Sequence, residues 1–342
     1  MGVNLSGVIE CREVDLGYLS GRKVTIDAYN TIYQFLSIIR QPDGYPLCDS
    51  KGRVTSHLSG LLYRTANLIE SGIEPSFVFD GAPHELKRTT LDKRKTRRDD
   101  AEKEWEKAVR EGDLKKAFTK AQQTSRMTDE IRDSSMRLLD LMGLPLIEAP
   151  GDGEAQAAYM CAKGDVWASA SQDYDSILFG APRLVRNMTI TGRRKVPGRD
   201  EYRTVRTEII ESEEALKHIG LTREQLVDAC ILMGTDFNPG LSGIGPKRGI
   251  KLIKDHGSLE KALKHIGQDI PDYEDVRGIF LDGEYSDAYR LNPEDMDRDG
   301  VIDMLAGYDF TESRIVSALD KIDSARAANK AKRQQRSLDS WF

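Results

Sequence analysis

The sequence predicts an α/β fold in which a central, mostly parallel, twisted sheet is flanked by helices. Short β-branched or apolar runs alternate with amphipathic helical segments, which is typical of a doubly wound sheet. Several of these runs end in a carboxylate. The chain has 342 residues, of which 39% are hydrophobic, so it can bury a large core. In such sheets, functional side chains collect at the carboxyl ends of the strands.

The first part of the chain supplies two strands and two helices around a turn-rich loop. The first strand ends at Asp27, and the second ends at Asp80. The predicted elements are a strand at 22–27, a helix at 29–40, a loop at 41–53, a helix at 57–70 and a strand at 77–80.

The remaining elements continue the alternation and then become helical. We predict a charged helical segment at 85–140 with a break near Gly112, a strand at 144–147, a helix at 154–163 and a strand at 167–171. Arginines among Thr, Val and Ile at 183–206 indicate a β-hairpin with an exposed basic turn at Thr191-Gly192. From 222 to about 328 the chain is mostly helical, and the Ala-, Lys-, Gln- and Arg-rich stretch at 325–336 is predicted to be mobile.

Composition narrows the class of protein. No apolar run reaches the roughly 18 residues of a membrane span, so we expect no membrane association. The cysteines are Cys11, Cys48, Cys161 and Cys230, and none forms a C-x-x-C pair. A structural zinc site and a disulfide framework are therefore disfavoured, and a reducing intracellular compartment is expected.

Positive charge is concentrated although the net charge is −6. Binding of nucleic acid depends on where cations lie rather than on their sum. One cluster runs from Lys87 to Arg98 and contains a single acid, Asp92. A second runs from Arg326 to Arg336 and contains none.

Seven acidic residues occupy contexts that suit a metal site. Each alone could be a turn former or a helix cap, but burying the set together would be very unfavourable without cations. Hard divalent ions prefer oxygen ligands, and two such ions can clamp the oxygens of a phosphodiester. The seven are Asp27, Asp80, Asp152, Glu154, Asp173, Asp175 and Asp236.

The segment 295–300 imitates a calcium loop. It contains Asp295, Asp297 and Asp299 before Gly300, but the position that requires Glu is Ala306. We therefore interpret it as a helix-rich surface turn.

The acidic motifs together resemble those of the flap endonucleases, within the XPG-like superfamily of 5′ nucleases, from Met1 to the C-terminus. The fold would then be of the PIN-like 5′-nuclease type. The compact length is similar to archaeal rather than eukaryotic members. The motifs are Val24-Thr25-Ile26-Asp27-Ala28, Phe77-Val78-Phe79-Asp80-Gly81, Glu148-Ala149-Pro150-Gly151-Asp152-Gly153-Glu154-Ala155, Gln172-Asp173-Tyr174-Asp175 and Leu232-Met233-Gly234-Thr235-Asp236-Phe237.

This resemblance implies two Mg²⁺ ions, for which Mn²⁺ substitutes. Asp27, Asp80 and Asp152 would hold one ion; Glu154, Asp173, Asp175 and Asp236 would surround the other. The family usually has Glu where this chain has Asp152, which is one methylene shorter.

Basic residues near the acids complete the implied catalytic set. Lys87, Arg94 and Arg98 share a helix face by their spacing, so they could place cations on a phosphate, although a solvated helix face is the alternative. By resemblance, Lys87 and Arg94 act with Asp175 in catalysis.

Residues 99–130 would form a helical arch under which a single-stranded 5′ flap threads. The implied DNA-binding residues are Gly2, Tyr33, Thr55, Arg97, Arg98, Gly243, Gly245, Lys247 and Arg248. For Tyr33, a half-buried position in the core is the alternative.

A glycine-containing turn precedes a predicted helix at 249–256. Its two glycines, Gly243 and Gly245, allow close approach to a phosphate, and Lys247 and Arg248 add charge. By resemblance, this segment is a helix–two-turn–helix that grips duplex DNA and can bind K⁺. A helix–turn–helix used only for packing is the alternative.

The C-terminus resembles a peptide that binds the sliding clamp PCNA. Gln335, Leu338, Trp341 and Phe342 match its pattern of Gln, aliphatic and two aromatic residues. Exposed apolar anchors are unfavourable unless a partner covers them. The alternative is that the aromatic pair docks on its own domain.

The resemblance implies a monomeric, structure-specific 5′-flap endonuclease with 5′-3′ exonuclease activity, acting in Okazaki-fragment maturation and base excision repair. Alternatives are an excision-repair or junction nuclease of the same superfamily, or a non-catalytic DNA-binding protein recruited by the clamp. The expected location is the cytoplasm of an archaeal cell, associated with the nucleoid, or the nucleus of a eukaryotic one.

The predicted regions are 1–98 (N-terminal nuclease), 99–130 (arch), 131–257 (internal nuclease with helix–two-turn–helix), 258–324 (C-terminal helices) and 325–342 (tail with clamp peptide).

Overall fold

A computed structural model describes residues 2–189, 192–195 and 202–339 of the chain. It confirms the predicted α/β class. Its strands are β1 (Arg12–Val14), β2 (Lys23–Asp27), β3 (Glu74–Phe79), β4 (Leu146–Glu148), β5 (Ala168–Ala170), β6 (Arg183–Arg186), β7 (Gly192–Lys195), β8 (Tyr202–Val205) and β9 (Thr207–Glu211).

Seven strands form one sheet in the order β1-β9-β6-β5-β2-β3-β4. The five strands from β6 to β4 are parallel, whereas β9 runs antiparallel to both β6 and β1. Strands from the predicted N-terminal and internal nuclease regions therefore lie side by side in a single sheet. The sequence did not reveal β1 or β9, which extend the sheet at one edge.

The predicted hairpin at 183–206 was wrong in its pairing. β6 pairs with β9, and a separate two-stranded ribbon joins β7 to β8, with Gly192 opposite Val205. Gly192 is thus the first residue of strand β7. In the sequence, Pro197-Gly198 between β7 and β8 is a stronger turn signal than Thr191-Gly192. Thr191 and residues 196–201 lie outside the described part of the chain.

Helices cover both faces of the sheet. They are α1 (Ala28–Ile38), α2 (Ser56–Glu70), α3 (Arg88–Arg110), α4 (Leu114–Ala121), α5 (Asp129–Leu141), α6 (Gly153–Lys163), α7 (Asp175–Leu178), α8 (Ser212–Ile219), α9 (Arg223–Met233), α10 (Pro246–His256), α11 (Leu259–Ile266), α12 (Tyr273–Leu281), α13 (Arg298–Ala306) and α14 (Glu312–Asp339).

The alternation of side chains along each strand explains the two-sided core. In β6, Val185 joins a cluster with α1, α2, α5, α13 and α14, while the preceding Leu184 joins one with α7 to α12. In β3, Phe77 and Phe79 face the first cluster, whereas Val78 packs with α6. Successive strand residues point to opposite faces, so apolar runs indicate burial on both sides.

The charged segment at 85–140 forms three helices. Gly112 ends the first of them with a φ of +72°, which confirms the predicted break. α3 and α4 pack against each other, and the C-terminal part of α3 reaches the 41–47 loop. There, Trp105 donates a hydrogen bond from Nε1 to the Asp43 carbonyl at 3.1 Å and contacts the Tyr45 ring edge-on.

The C-terminal half is mostly helical, as predicted, but an irregular segment interrupts it. This segment, residues 282–297, crosses the outside of α6, and we call it the strap. Buried Gln156 of α6 exchanges two hydrogen bonds with the Ser286 backbone, at 2.9 and 2.8 Å. The strap ends at Asp297, whose side chain caps α13, so the calcium-loop imitation is a helix start.

α14 continues through the segment for which we predicted mobility. Lys321 bonds Glu70 of α2 at 2.6 Å, and Arg326 donates to the Met142 carbonyl at 2.9 Å. The helix runs on to Asp339, which includes the backbone of Gln335 and Leu338. Trp341 and Phe342 lie outside the described residues. In the described part of the chain, no helix has the length and apolar character needed to cross a bilayer.

Candidate active site

Acidic residues from four neighbouring strands meet at one edge of the sheet. Asp27 is the last residue of β2, and Asp80 follows β3 directly. Asp152 caps α6 after β4, and Asp173 follows β5. Because these strands are parallel neighbours in the order β5-β2-β3-β4, their carboxyl ends lie together.

The other three acids lie at helix ends that face this edge. Glu154 is in the first turn of α6, Asp175 begins α7, and Asp236 follows α9. The charge of Asp152 acts on Glu154 and Asp175, and that of Asp236 acts on Asp175 and Asp80. The structure therefore brings all seven predicted acids into one site, which we call the acid pocket.

Backbone amides orient several of these carboxylates. Because the donors are main-chain groups, the direction of each carboxylate depends on the fold rather than on a flexible partner. The bonds, at 2.8–2.9 Å, run from Asn30 N–H to Asp27, from Gly153 N–H to Asp80, from Glu154 N–H to Asp152 and from Val3 N–H to Asp175.

Burial and like charge raise the pKa of four of the acids. Desolvation, followed by the charge of a neighbouring carboxylate, raises the pKa of Asp27 and Glu154 well above their usual values. The same two causes raise the pKa of Asp80 to about 6 and that of Asp175 to about 8. Negative charge is therefore unfavourable here unless cations compensate it.

The pocket has the chemistry of a site for hard divalent cations. Its donors are carboxylate oxygens, and Glu154 is 8% exposed with a buried Oε1 that has no hydrogen-bond partner. Across residues 2–189, 192–195 and 202–339, however, no three carboxylate, imidazole or thiol side chains are arranged to hold one ion together. Instead, two of the acids are paired with cations. The donor set fits such an ion by its chemistry, whereas the observed side-chain arrangement is that of ion pairs.

Lys87 and Arg94 are those cations, at the start of α3. The ammonium of Lys87 is paired with Asp152 and lies 5.0 Å from the centre of the Phe237 ring. Burial alone would lower the pKa of Lys87, but Asp152, Asp80 and Asp236 outweigh it and raise that pKa. Arg94 donates from Nη2 to both oxygens of Asp236, at 2.5 and 2.6 Å. Both predicted catalytic cations therefore reach the acid pocket.

The predicted DNA contacts near the pocket divide into two groups. Gly2 lies against Asp175, and a Cβ there would be 2.3 Å from Oδ2, so the backbone needs glycine at this position. Half-buried Tyr33 lies on α1, and exposed Arg97 lies on α3. Thr55, by contrast, is 6% exposed and donates its N–H to the Leu47 carbonyl at the start of α2. Its implied contact with DNA stays a prediction.

Arg98 differs from its neighbour Arg97. Its side chain is half-buried, and its Nε is enclosed without a hydrogen-bond partner. Enclosing a guanidinium N–H without a partner in this way is unfavourable.

The segment 242–256, which we call the duplex anchor, forms as predicted but its helix begins earlier. α10 starts at Pro246, whose missing N–H costs nothing at a first helical position. Gly243 has a φ of +76°, and Gly245 precedes the helix. Lys247 and Arg248 are exposed beside this helix start.

The sequence did not single out three residues that shape the pocket. Asn30 and Val3 bind acids directly, and Phe237 lies beneath Lys87. Asn30 stands three positions after Asp27, where a helix cap receives its N–H, and this spacing was the available signal. Val3 carries no such signal, because its role depends on the path of the N-terminal segment.

Comparison with known proteins places this chain among the XPG-type nucleases. Residues 1–101 match the XPG N-terminal domain, and residues 143–236 match the XPG I-region. Flap endonuclease 1 of Archaeoglobus fulgidus is 48% identical over 343 residues, and that of Aeropyrum pernix is 49% identical over 350; both alignments cover 100% of each chain. Flap endonuclease-1 from Methanococcus jannaschii superposes with a TM-score of 0.76 at 38% identity, covering 96% of this chain and 99% of that one.

This chain belongs to the flap endonuclease 1 family. It is a structure-specific 5′-flap endonuclease that hydrolyses phosphodiester bonds of DNA in replication and repair, and the family is metal-dependent. The catalytic core of Rad2, solved with DNA substrate, shares the fold with a TM-score of 0.67 at 24% identity.

Proposed function

We propose that the acid pocket binds two Mg²⁺ ions, for which Mn²⁺ substitutes. Asp27, Asp80 and Asp152 would hold one ion, and Glu154, Asp173, Asp175 and Asp236 would surround the other. The observation that carries this proposal is the convergence of buried carboxylates that includes the unpaired Oε1 of Glu154. Two such ions supply Lewis-acid activation of water and neutralise the charge of the phosphodiester.

The cations of α3 act on the same phosphate from the protein side. Lys87 and Arg94 now bind Asp152 and Asp236, and a scissile phosphate would offer them competing anionic oxygens. Groups already positioned at the site stabilise charge that develops during hydrolysis without a cost of reorganisation at that moment. We assign them this role.

We propose that the arch selects the substrate by admitting a single strand. A 5′ flap threads beneath α3 and α4, which exclude a duplex by its width, and Tyr33 stacks on a base near the cut. Arg97 and Arg98 bind backbone phosphates, a role that suits the exposed charge of Arg97. The same site would support 5′-3′ exonuclease activity, Okazaki-fragment maturation and base excision repair.

We further propose that the duplex anchor holds DNA away from the cut, with K⁺ at its glycine turn. Gly243 and Gly245 leave backbone groups accessible, and Lys247 and Arg248 contribute charge. In this reading the protein acts as a monomer. Its location would be the cytoplasm, on the nucleoid of an archaeal cell, in keeping with the archaeal relatives.

The C-terminal residues Gln335, Leu338, Trp341 and Phe342 are proposed to bind the sliding clamp PCNA. Tethering to a clamp raises the local concentration of an enzyme on its DNA. Removal of residues 335–342 should abolish stimulation by PCNA while leaving cleavage without PCNA unchanged. An equal stimulation of the truncated protein would contradict the proposal.

The substrate and metal proposals are tested by comparing cleavage of labelled double-flap, nick, bubble and four-way junction DNA. We expect double-flap DNA to be cut fastest with Mg²⁺, more slowly or comparably with Mn²⁺, and not at all with EDTA. Equal cutting of bubble or junction DNA would favour an excision-repair or junction nuclease, such as the solved GEN1 that binds a Holliday junction. Binding of flap DNA without turnover would favour a non-catalytic scaffold.

A further inference from the structure

Three polar side chains form a continuous hydrogen-bonded chain that ends on Asp173. The Thr189 hydroxyl donates to Gln34 Oε1 at 3.2 Å, and Gln34 Nε2 donates to Asn30 Oδ1 at 2.9 Å. Asn30 Nδ2 then donates to Asp173 Oδ2 at 3.1 Å. We call these four residues the polar relay.

All the bonds in the relay run in one direction. Since Asn30 accepts through its oxygen from Gln34, its NH₂ group is the end that faces Asp173. Gln34 is oriented in the same way, because its oxygen accepts the Thr189 hydroxyl. Each donor therefore determines which end of the next amide points onward, and the last acceptor is a carboxylate.

The surroundings of the relay restrict alternative arrangements. Thr189 is 7% exposed, and Asn30 and Gln34 are half-buried on α1, where they bond residues that follow β5 and β6. Asn30 also donates its backbone N–H to Asp27 at 2.9 Å, so one residue contacts acids assigned to both ions. Loss of either amide would leave a neighbouring polar group without its partner, which is costly in an enclosed site.

We propose that Asn30 is a positioning residue for divalent-ion binding, and that Gln34 and Thr189 fix its orientation. The inference rests on the proposed role of Asp173 as an ion ligand. Groups that orient a ligand from behind typically change metal affinity by roughly 10- to 100-fold when removed. The relay links this ligand to the end of β6, outside the acid pocket.

The test measures Mn²⁺ binding without DNA, by counting free Mn²⁺ from its electron paramagnetic resonance signal. Asn30→Leu, of similar size, should weaken Mn²⁺ binding by about 10-fold or more. Thr189→Val, which removes only the hydroxyl, should weaken it severalfold, whereas Thr189→Ser should restore it to within about twofold of wild type. Affinity for double-flap DNA in EDTA should be unchanged in all three variants, and their melting temperatures establish that they are folded.

Asp173→Ala separates failure of the relay from failure of the ion site. If Asp173→Ala weakens Mn²⁺ binding but Asn30→Leu and Thr189→Val do not, the relay proposal is overturned while the ion site stands. If Asp173→Ala leaves Mn²⁺ binding intact, the ligand assignment itself fails. Equal weakening by Thr189→Val and Thr189→Ser would also overturn the relay, because it would assign the effect to packing rather than to the hydroxyl.

Discussion

The acid pocket and the duplex anchor handle charge in opposite ways. In the pocket, Asp175 is 4% exposed and surrounded by other acids, so its charge opposes folding. In the anchor, Lys247 and Arg248 are exposed beside a helix start, where water screens them and burial costs nothing. Under the proposed function, chemistry would depend on a few enclosed groups, whereas affinity for duplex DNA would depend on several screened ones. Substitutions in the two regions should separate cleavage from binding.

The largest effect is expected for Asp175→Ala. Cleavage of a double-flap substrate with Mg²⁺ should fall by at least about 10²-fold, because an ion ligand is lost. Binding of the same DNA, measured by fluorescence anisotropy in EDTA, should persist. Asp133→Ala, on the exposed surface of α5, is the matched control and should cut normally. Full activity of Asp175→Ala would refute the metal assignment.

Lys87→Met should be the next most severe change. The single-turnover rate of cleavage, measured at a saturating enzyme concentration, is expected to fall by about 10- to 100-fold, because a preorganised cation beside the phosphate is removed. Lys93→Met removes an exposed lysine from the same helix and should change the rate by less than about twofold. Similar losses in both variants would mean that α3 contributes only general positive charge.

Lys247→Ala combined with Arg248→Ala should affect binding rather than chemistry. Affinity for duplex-containing substrates should fall severalfold, and the slope of log affinity against log salt should decrease by roughly 1.8, about 0.9 for each lost phosphate contact. The single-turnover rate at saturation should stay at the wild-type level. A reduced rate at saturation with an unchanged salt slope would show that the anchor does not grip phosphates.

The smallest expected effect is a pH-dependent change in melting temperature, measured in EDTA. A carboxyl whose pKa is raised by folding binds more protons in the folded state than in the unfolded state. It therefore lowers the free energy of unfolding by a growing amount as the pH rises from about 4 to its pKa in the folded state. For Asp175 that value is about 8. Asp175→Asn should therefore melt a few degrees higher than wild type at pH 8, and the difference should shrink towards pH 5. A lower melting temperature at pH 8 would contradict the unfavourable charge.

Much of the fold followed from local patterns. Residues 22–27, 57–70 and 154–163 were predicted within one or two positions of β2, α2 and α6, because apolar periodicity and capping residues are local signals. The acid pocket was also foreseeable, since parallel strands carry Asp27 and Asp80 to one edge. The assignment of individual acids to individual ions still rests on the resemblance to flap endonucleases.

Features that depend on distant partners were missed. β9 pairs antiparallel with β6 and β1, which come from separate parts of the chain, so no local pattern encodes this pairing. The strap was missed for the same reason, because its bonds to Gln156 join residues 130 positions apart. The burial of Thr55 at a helix start was likewise not evident from the sequence, and its implied contact with DNA stays a prediction.

The position of Gly2 has a practical consequence for anyone who prepares this enzyme. Its main chain lies so close to Asp175 that a Cβ would meet the carboxylate at 2.3 Å. Purification tags and fluorescent labels fused ahead of this residue would therefore crowd the reaction centre. A fusion after Phe342 would sit beside the residues proposed to recruit the clamp, so an untagged or cleavable preparation is the sound choice for assays.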